Sequence, residues 1–338
     1  MKLYCGIDLH ANNNLVSIID EADRVVFERR LPNELEVVTR ALQPYQAQIT
    51  ATVVESTYNW YWLVDGLMDA GYDVRLANTV AIKQYSGIKH SDDNTDARHL
   101  AHLLRLDILP EGHIYPKADR GVRDLLRRRM QLVRQRTMQH LSLQSLIARH
   151  TGLRLSSSQI KQLNQDRIDD LLACPEAALA GKVAWVMMQA LNEAVDVVET
   201  TVLEQVQPNP AYALLTSIPG VGPIIGQTIL LETGPIERFA DAGHYASYAR
   251  CVNSQKLSNG KVKGHGNAKN GNKYLGWAFI EAGHYAAIWN PKIKRYYQRK
   301  QSKAHIMVAK KALANKLARA CFHMLKQNTV FDVDRAFT

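Results

Sequence analysis

Four carboxylates near the start of the chain have the types and spacing that metal-dependent phosphodiester chemistry uses. Asp8 interrupts the first apolar run, and Glu55 closes a later one. Asp93 and Asp96 are three residues apart in a predicted helix, so they share a face. Carboxylates that converge on one patch repel one another unless a divalent cation neutralises them. The pattern predicts a centre for two Mg²⁺ ions, which can activate an attacking oxygen and stabilise a leaving oxygen.

Each of these acids, taken alone, also fits a structural role. Asp8 at a strand end can be held by backbone N–H groups, because a buried carboxylate needs a partner. Glu55 can cap the helix that follows it, and Asp93 or Asn94 can cap the helix that begins there. The order of all four along the chain favours the metal centre over these separate roles.

The elements that must position these acids form an α/β pattern. The first run and residues 15–20, 24–31, 49–55 and 73–77 are strand-like. Helices are predicted from an Asn33 cap to about 46, over 59–70, and over 94–109, before Pro110. The order β-β-β-α-β-α-β-α, a meander followed by crossovers, is typical of a ribonuclease-H-like domain with a mixed, helix-covered sheet.

A basic amphipathic helix follows, with no Pro or Gly between Val122 and Thr151. It carries several arginines, Arg127 and Arg128 among them, and after a polar stretch at 154–170 a second helix over 181–206 suits an antiparallel, coiled-coil partner. This helical pair can be purely structural, with a solvated basic face, or it can dimerise or carry nucleic acid.

Residues 214–234 have the pattern of a helix-hairpin-helix, with Pro-Gly-Val-Gly between two apolar segments. Gly220 and Gly222 let backbone N–H groups at a helix start approach a phosphate without sequence preference. The alternative is a tight turn between helices that binds no ligand.

A Gly/Asn/Lys/Ser-rich segment at 251–281 is predicted to be a flexible loop that runs into an apolar helix. Residues 251–326 contain 16 lysines and arginines, and their only acid is Glu281. With aromatic residues interleaved, this half is the one expected to bind nucleic acid. The candidate contacts are Lys256, Lys261, Lys263, Lys269 and Lys273.

The composition of the 338 residues is that of an ordinary globular protein, with 46% hydrophobic residues and a net charge of +10. This charge favours a polyanionic partner such as nucleic acid. The four cysteines are scattered, without zinc spacing, which fits buried thiols in a reducing compartment. The chain shows neither a signal peptide nor an apolar run of membrane-spanning length, so we expect a cytoplasmic protein without a membrane partner.

Two sets of motifs resemble one known family. Asp8 in Gly-Ile-Asp-Leu-His, Glu55 in Val-Val-Glu-Ser-Thr, and Lys89 followed by Asp93-x-x-Asp96-Ala resemble the DEDD transposases of the insertion-sequence-110 family. Ile-Pro-Gly-Val-Gly-Pro at 218–223, Ser-Asn-Gly-Lys from Ser258, and Asn-Ala-Lys-x-Gly-Asn at 267–272 resemble that family's second domain, closest to its 1111 group.

The resemblance implies a RuvC-like DEDD domain over 1–115, a coiled-coil linker over 116–207 and a mainly α-helical C-terminal transposase domain over 208–330. It implies a catalytic serine, Ser258 with Ser254 as the rival in the same segment. The implied partners are donor and target DNA, a non-coding bridge RNA that selects them, and further copies of the chain, from dimer to tetramer.

One departure from the family concerns the third acid. Members often show Lys-Thr-Asp, whereas here His90 and Ser91 follow Lys89, and Asp92 and Asp93 are adjacent. Asp93 is preferred because its spacing to Asp96 matches the family, while Asp92, four residues from Asp96, faces the same side.

The sequence therefore predicts a transposase, a site-specific recombinase that cuts and rejoins DNA with a Mg²⁺ centre and a serine nucleophile. One alternative is a metal-dependent Holliday-junction resolvase or nuclease that uses the same acids with water. The other is a non-catalytic nucleic-acid-binding protein whose acids are structural. A covalent protein–DNA adduct would distinguish the recombinase from the nuclease and from the binding protein.

Overall fold

A computed structural model describes residues 1–82, 93–205, 209–252, 255–265 and 270–337 of the protein. The chain divides into two units, Met1–Lys117 and Ala118–Thr338. No helix in these described ranges is long and apolar enough to cross a membrane.

The first unit is built on a six-stranded sheet with strand order β3-β2-β1-β4-β5-β6. Strand β1 pairs antiparallel with β2 and parallel with β4, β3 is antiparallel to β2, and β5 is parallel to β4. The elements are β1 Leu3–Leu9, β2 Asn13–Asp20, β3 Val25–Pro32, α1 Leu35–Leu42, a 3₁₀ turn Gln43–Tyr45, β4 Ile49–Glu55, α2 Tyr61–Asp69, β5 Val74–Ala77, α3 Asp93–Arg105 and β6 Glu111–Gly112. The mixed, helix-covered sheet predicted from the sequence is confirmed, and it is consistent with a RuvC-like α/β domain.

Successive side chains of each strand point to opposite faces of this sheet, so the two faces carry different residues. The odd-numbered residues of β1, such as Leu3 and Ile7, pack with Val38 and Leu63 from α1 and α2 in one core. The opposite face carries a smaller cluster with Val53 and residues of α3. Both faces are therefore covered by helices, as parallel strands require.

The predicted Asn33 cap of α1 is wrong. Glu34 holds the N-cap position, without a side-chain hydrogen bond to the helix. The Asn33 amide donates instead to the backbone oxygens of His10 and Ala11, at 3.0 Å each, and its oxygen accepts from Asn14 at 3.1 Å. Asn33 thus fastens the β1–β2 turn to the end of β3, a long-range use that local spacing does not reveal.

Two other boundaries in this unit differ from prediction. Helix α3 ends at Arg105 instead of about 109, and Asp107 just beyond it adopts a left-handed φ of 56°, as residues that terminate helices often do. Strand β6, of two residues, pairs with β5 and was not predicted, because so short a segment has no periodicity.

The second unit is helical apart from one hairpin in its described residues. After α4 (Lys117–Thr151), which begins at the unit boundary, come α5 Ser157–Lys161, α6 Gln165–Leu171, α7 Pro175–Glu204, α8 Pro210–Thr216, α9 Pro223–Thr233, a 3₁₀ turn Ile236–Arg238, α10 Ala242–Tyr248, β7 Gln255–Ser258, β8 Lys261–His265, α11 Lys273–Trp289, α12 Pro291–Gln301, α13 Ile306–Gln327 and α14 Val333–Ala336. Tyr245 and Phe279 are fully buried in the largest core cluster.

Helices α4 and α7 pack against each other through Leu132, Leu191 and Val195. An ion pair joins Arg129 to Glu199, with 2.6 Å between Nη2 and Oε1, and Arg136 donates to Asn192 at 2.9 Å. Arg129 contacts Glu199, whereas Arg136, about two turns later on α4, contacts Asn192, which lies earlier on α7. The two helices therefore run in opposite directions. The coiled-coil assignment itself stays a prediction.

The predicted start of α7 is wrong. The helix begins at Pro175, six residues before the predicted start, and Gly181 lies inside it. A Cβ at Gly181 would lie 2.9 Å from Ile168 of α6, so this glycine permits close packing and does not mark a helix start. The stretch 154–170 contains α5, which has a Ser156–Gln159 capping box, and α6, capped by Asn164.

The segment predicted as a flexible loop contains a β-hairpin. Strands β7 and β8 pair antiparallel across Asn259 and Gly260, whose φ angles of 50° and 73° are both left-handed. Two such residues match the Asn-Gly turn that a two-residue hairpin favours. The Gly/Asn/Lys composition suggested a loop, whereas the Asn259-Gly260 pair is the feature of the sequence that indicates a hairpin turn.

Candidate active site

Asp8 and Glu55 lie next to each other on adjacent parallel strands. Ile7 of β1 is paired with Val54 of β4, so the following residues, Asp8 and Glu55, meet at the carboxyl ends of these strands. Both acids alternate with residues of the α1–α2 core and therefore face α3. Asp8 is only 3% exposed, and Glu55 is partly buried.

Gly6 brings α3 close to this pair. A Cβ at Gly6 would lie 2.1 Å from the carbonyl oxygen of Ala97 and 2.8 Å from the amide nitrogen of Ala101, so only glycine permits this contact. Gly6 and Asp8, two residues apart on one strand, point to the same face. Asp96 precedes Ala97 on α3, and the close approach of the helix brings it towards the two strand carboxylates.

The pKa of Glu55 is consistent with acids close to it. Burial, a side-chain hydrogen bond with Asp8, and the negative charges of Asp8 and Asp96 raise the pKa of Glu55 to about 8. At neutral pH the metal-free protein therefore keeps a proton on this group of acids. His10 lies beside them, with 3.3 Å between its Nε2 and Asp8 Oδ2.

The donor chemistry of these acids suits a hard divalent cation. Asp8, Glu55 and Asp96 offer only carboxylate oxygens, the ligands that Mg²⁺ prefers, and a cation would offset both the burial and the neighbouring negative charges that favour a proton on Glu55. Across the described residues, no group of three or more His, Cys, Asp or Glu side chains is arranged to hold a metal ion. Asp93 is the first residue of α3, while its side chain and the whole of Asp92 lie outside the described part.

Ser258, the predicted nucleophile, is the last residue of β7 in the second unit. It is exposed and pairs with Lys261 directly across the Asn259–Gly260 turn. Lys261 and Lys263 are exposed on β8. Ser254 and Lys269 lie outside the described residues, and Lys256 is described only as a member of β7.

The two glycines of the predicted helix-hairpin-helix have different surroundings. Gly220 has a left-handed φ of 82°, and a Cβ there would lie 2.6 Å from the backbone of Tyr285 on α11. Gly222 is the N-cap of α9, and a Cβ there would meet nothing within 4 Å. Packing and backbone conformation thus explain Gly220, whereas Gly222 borders open space.

Arg127 and Arg128, predicted to bind nucleic acid, differ in their contacts. The Arg127 guanidinium donates to Glu232, with 2.9 Å between Nη2 and Oε2, and lies over the Tyr274 ring. Arg128 is exposed and lies 3.4 Å from the side-chain oxygen of Gln131. Lys273, on the first turn of α11, is also exposed.

Glu232 is a charged residue that the sequence analysis did not single out. It is 1% exposed and also accepts from Arg123, at 3.0 Å, and from the Asn272 amide, at 2.7 Å. Burial alone would raise its pKa, but the hydrogen bond from Arg127 and the charges of Arg123 and Arg127 lower it below the ordinary value. A single acid within the apolar sequence of α9 was the signal that could have identified it.

Comparisons with known proteins give two family matches and one relative. Residues 5–151 match the family model DEDD_Tnp_IS110, described as a transposase, and residues 212–298 match the model of the transposase IS116/IS110/IS902 family. The chain is similar to the insertion element IS110 uncharacterized 43.6 kDa protein of Streptomyces coelicolor, with 27% identity over 147 residues. This match covers 43% of the chain and 36% of that protein, so the chain spans about a third of the length of its relative.

Proposed function

Since the chain belongs to the IS110 family of DEDD transposases, we propose that it cuts and rejoins DNA to move an insertion sequence. The observation that carries this proposal is the pair of Asp8 and Glu55, joined by a hydrogen bond on adjacent strands, with Asp96 of α3 near enough to raise the pKa of Glu55. Carboxylates this close to one another repel unless a proton or a divalent cation is bound between them.

Asp8, Glu55, Asp93 and Asp96 would hold two Mg²⁺ ions. When bound, these ions supply charge neutralisation and Lewis acidity at the scissile phosphate. The protein's own contribution is to place the oxygens. The parallel pairing of β1 with β4 fixes Asp8 beside Glu55, and Gly6 holds α3 against the sheet. Glu55 must give up its proton before it can act as a ligand, because metal ligands bind deprotonated.

Ser258 supplies the nucleophile in this proposal. Its Oγ forms a bond to phosphorus, the phosphorus–oxygen bond to one deoxyribose breaks, and the proton of the serine hydroxyl is transferred so that the leaving deoxyribose oxygen departs as a hydroxyl. In rejoining, a deoxyribose hydroxyl attacks the phosphoserine and releases Ser258. The phosphodiester energy is kept in the covalent intermediate, so no ATP is needed. The exposed position of Ser258 beside the hairpin turn leaves it accessible to DNA.

The basic surface of the second unit is proposed to bind the nucleic acids. The α8–turn–α9 segment acts as a helix-hairpin-helix, with Gly222 open to a phosphate. Exposed Arg128, Lys261, Lys263 and Lys273, together with Lys256 and Lys269, contribute positive charge for donor and target DNA and for a guiding bridge RNA. Synapsis of two DNA partners calls for an assembly of two to four copies of the chain.

The covalent intermediate is the test. Purified full-length protein is incubated with Mg²⁺, the RNA transcribed from the flanking element, and end-labelled donor and target DNA, and the products are separated on denaturing gels. A protein–DNA adduct is expected for the wild type and for Ser254→Ala, and none for Ser258→Ala. Cleavage without any adduct would indicate a nuclease that uses water. Binding without cleavage would indicate a binding protein, and an adduct with Ser258→Ala would exclude this residue.

A further inference from the structure

A groove beside α11 has aromatic and arginine side chains that the proposed chemistry does not use. Trp277, Glu281, Tyr285 and Trp289 recur every four residues on α11 and form one wall. Arg129 and Arg136 of α4 face them, and the turn from Gly220 to Pro223 lies between. We call this cavity of about 770 Å³ the α11 groove.

The aromatic wall of the α11 groove is unusually open to solvent. Trp289 is 72% exposed and Tyr285 is 42% exposed. Trp277 is partly buried, with the Arg129 guanidinium 5.9 Å from its ring centroid. Exposed aromatic surface that lines a concave pocket is typical of a ligand-binding site. The volume lies within the range of about 300–1,000 Å³ typical of small-ligand pockets.

The charges lining the groove favour a base over a bare phosphate chain. Arg129 and Arg136 are matched by Glu199 and Glu281, so the formal charge of the lining is balanced. Arg129 is already paired with Glu199. Arg136 gives one N–H to Asn192, and a guanidinium has five N–H donors, so donors remain for a ligand. A flat, neutral, aromatic group beside one phosphate satisfies both the aromatic wall and Arg136.

We propose that the α11 groove binds one unpaired nucleotide of the nucleic acid on which the protein acts, an inference that rests on the proposed function. The base stacks on Trp289 and Tyr285, and Arg136 donates to the adjoining phosphate. Glu281 accepts an N–H from the exocyclic amine of the base. A carboxylate only accepts, so the exocyclic amine of adenine, cytosine or guanine can donate to it, whereas thymine and uracil can donate only through the ring N3–H.

Binding of short labelled oligonucleotides to the full chain tests this proposal. Fluorescence anisotropy is measured with oligodeoxyadenylate, oligothymidylate and oligoriboadenylate. Trp289→Ala is expected to weaken binding of the adenylates by about 5- to 150-fold, the range that corresponds to loss of one stacked base. Trp289→Phe keeps an aromatic face and should restore most of this affinity. Ile288→Ala, at an exposed neighbour that does not line the groove, is the matched control and should bind as the wild type.

Two further readouts separate stacking from general charge attraction. Trp289→Ala should leave the slope of log K against log salt unchanged, whereas Arg136→Gln should reduce it by about one phosphate contact. Glu281→Gln should narrow the preference for adenylate over thymidylate, because an amide both donates and accepts. Oligoadenylate should quench wild-type tryptophan fluorescence, and Trp289→Phe should remove most of that quenching.

The outcomes distinguish this inference from the proposed function. If the wild type binds oligonucleotides and Trp289→Ala binds equally well, the α11 groove is not a nucleotide site, while the proposed function stands. If the wild type forms the Ser258 adduct yet neither of the two adenylate oligonucleotides quenches its fluorescence, the groove inference is likewise overturned. If the wild type binds neither DNA nor RNA and cleaves nothing, the proposed function itself fails. Tight binding of only the DNA or only the RNA adenylate supports the site and identifies which nucleic acid occupies it.

Discussion

Glu232 of α9 accepts a hydrogen bond from Asn272, the residue that caps α11, across a buried distance of 2.7 Å. The same Asn272 side chain accepts from the backbone amides of Tyr274 and Leu275. Glu232 also binds Arg123 and Arg127 of α4. One carboxylate therefore ties α4, α9 and the start of α11 together, where the chain returns from the Ser258 hairpin.

Glu232→Gln should destabilise the second unit strongly. The substitution keeps the shape of the side chain but removes the negative charge of Glu232 from beside the guanidinium groups of Arg123 and Arg127. Breaking a buried ion pair by removing one partner costs about 3–5 kcal/mol. Urea unfolding followed by tryptophan fluorescence should show a lower midpoint. Glu237→Gln, at an exposed acid nearby, should leave the midpoint almost unchanged, and equal effects of the two variants would contradict this role.

Stability of the second unit should fall in acid because of the same residue. The pKa of Glu232 is lowered in the folded protein below its ordinary value of 4.5, since the two arginines outweigh the cost of burial. The stabilisation is fully present above the unfolded pKa and is lost as pH falls through the lower folded pKa. Unfolding free energies measured from neutral pH to below pH 4 should decline for the wild type. The decline should be shallower for Glu232→Gln, and parallel curves would refute the assignment.

Gly6→Ala should disrupt the first unit more than its single methyl group suggests. The new Cβ would meet backbone atoms of Ala97 and Ala101, which cannot rotate away, so α3 must move off the sheet. Overpacking of this kind typically costs about 1–3 kcal/mol. Thermal unfolding should detect the loss, and DNA cleavage should fall as Asp96 shifts. Gly112→Ala is the control, because its Cβ would make only ordinary contacts with Leu76.

Neutral isosteres of the four acids should abolish DNA cleavage and leave nucleic-acid binding intact. Asp8→Asn, Glu55→Gln, Asp93→Asn and Asp96→Asn each remove a ligand charge while conserving shape, and a two-metal displacement tolerates little loss of charge. Cleavage assays with Mg²⁺ and circular dichroism on the same samples separate lost catalysis from lost folding. Glu36→Gln, at an exposed acid of α1, should be fully active. Full activity of Asp93→Asn with an inactive Asp92→Asn would move the ligand by one residue.

The thiols should differ sharply in reactivity. Burial raises the pKa of Cys5, Cys251 and Cys321 to about 12, so almost no thiolate forms at neutral pH. Cys174 is exposed, contrary to the expectation that all four thiols are buried. Brief treatment with a maleimide, followed by mass spectrometry, should add one label to the native protein and four after denaturation. Rapid labelling of a buried cysteine would mean that the core opens readily.

The first unit was predictable because its signals are local. Strand-length apolar runs, short connections and the crossover rule predicted the mixed sheet, whereas the parallel pairing of β1 with β4 that places Asp8 beside Glu55 came from the structure. The use of Asn33 to fasten the β1–β2 turn was not predictable, because its partners are remote in sequence.

The second unit was harder to predict because its informative contacts join distant helices. The partners of Glu232 come from α4 and from the start of α11, and no spacing rule links them. The α11 groove likewise needs α4 beside α11, although the four-residue recurrence of Trp277, Glu281, Tyr285 and Trp289 was visible in the sequence. Periodicity identifies a helix face but does not say what lies opposite it.

The Asn259–Gly260 turn has a consequence for which sequence changes this protein can tolerate. Residues paired across two strands lie on the same face, so the length of the turn decides which β8 side chain lies beside Ser258. A register shift caused by inserting or deleting one residue in the turn would separate Ser258 from Lys261, even with every chemical group retained. We therefore expect related chains to vary in composition around this hairpin while conserving its length.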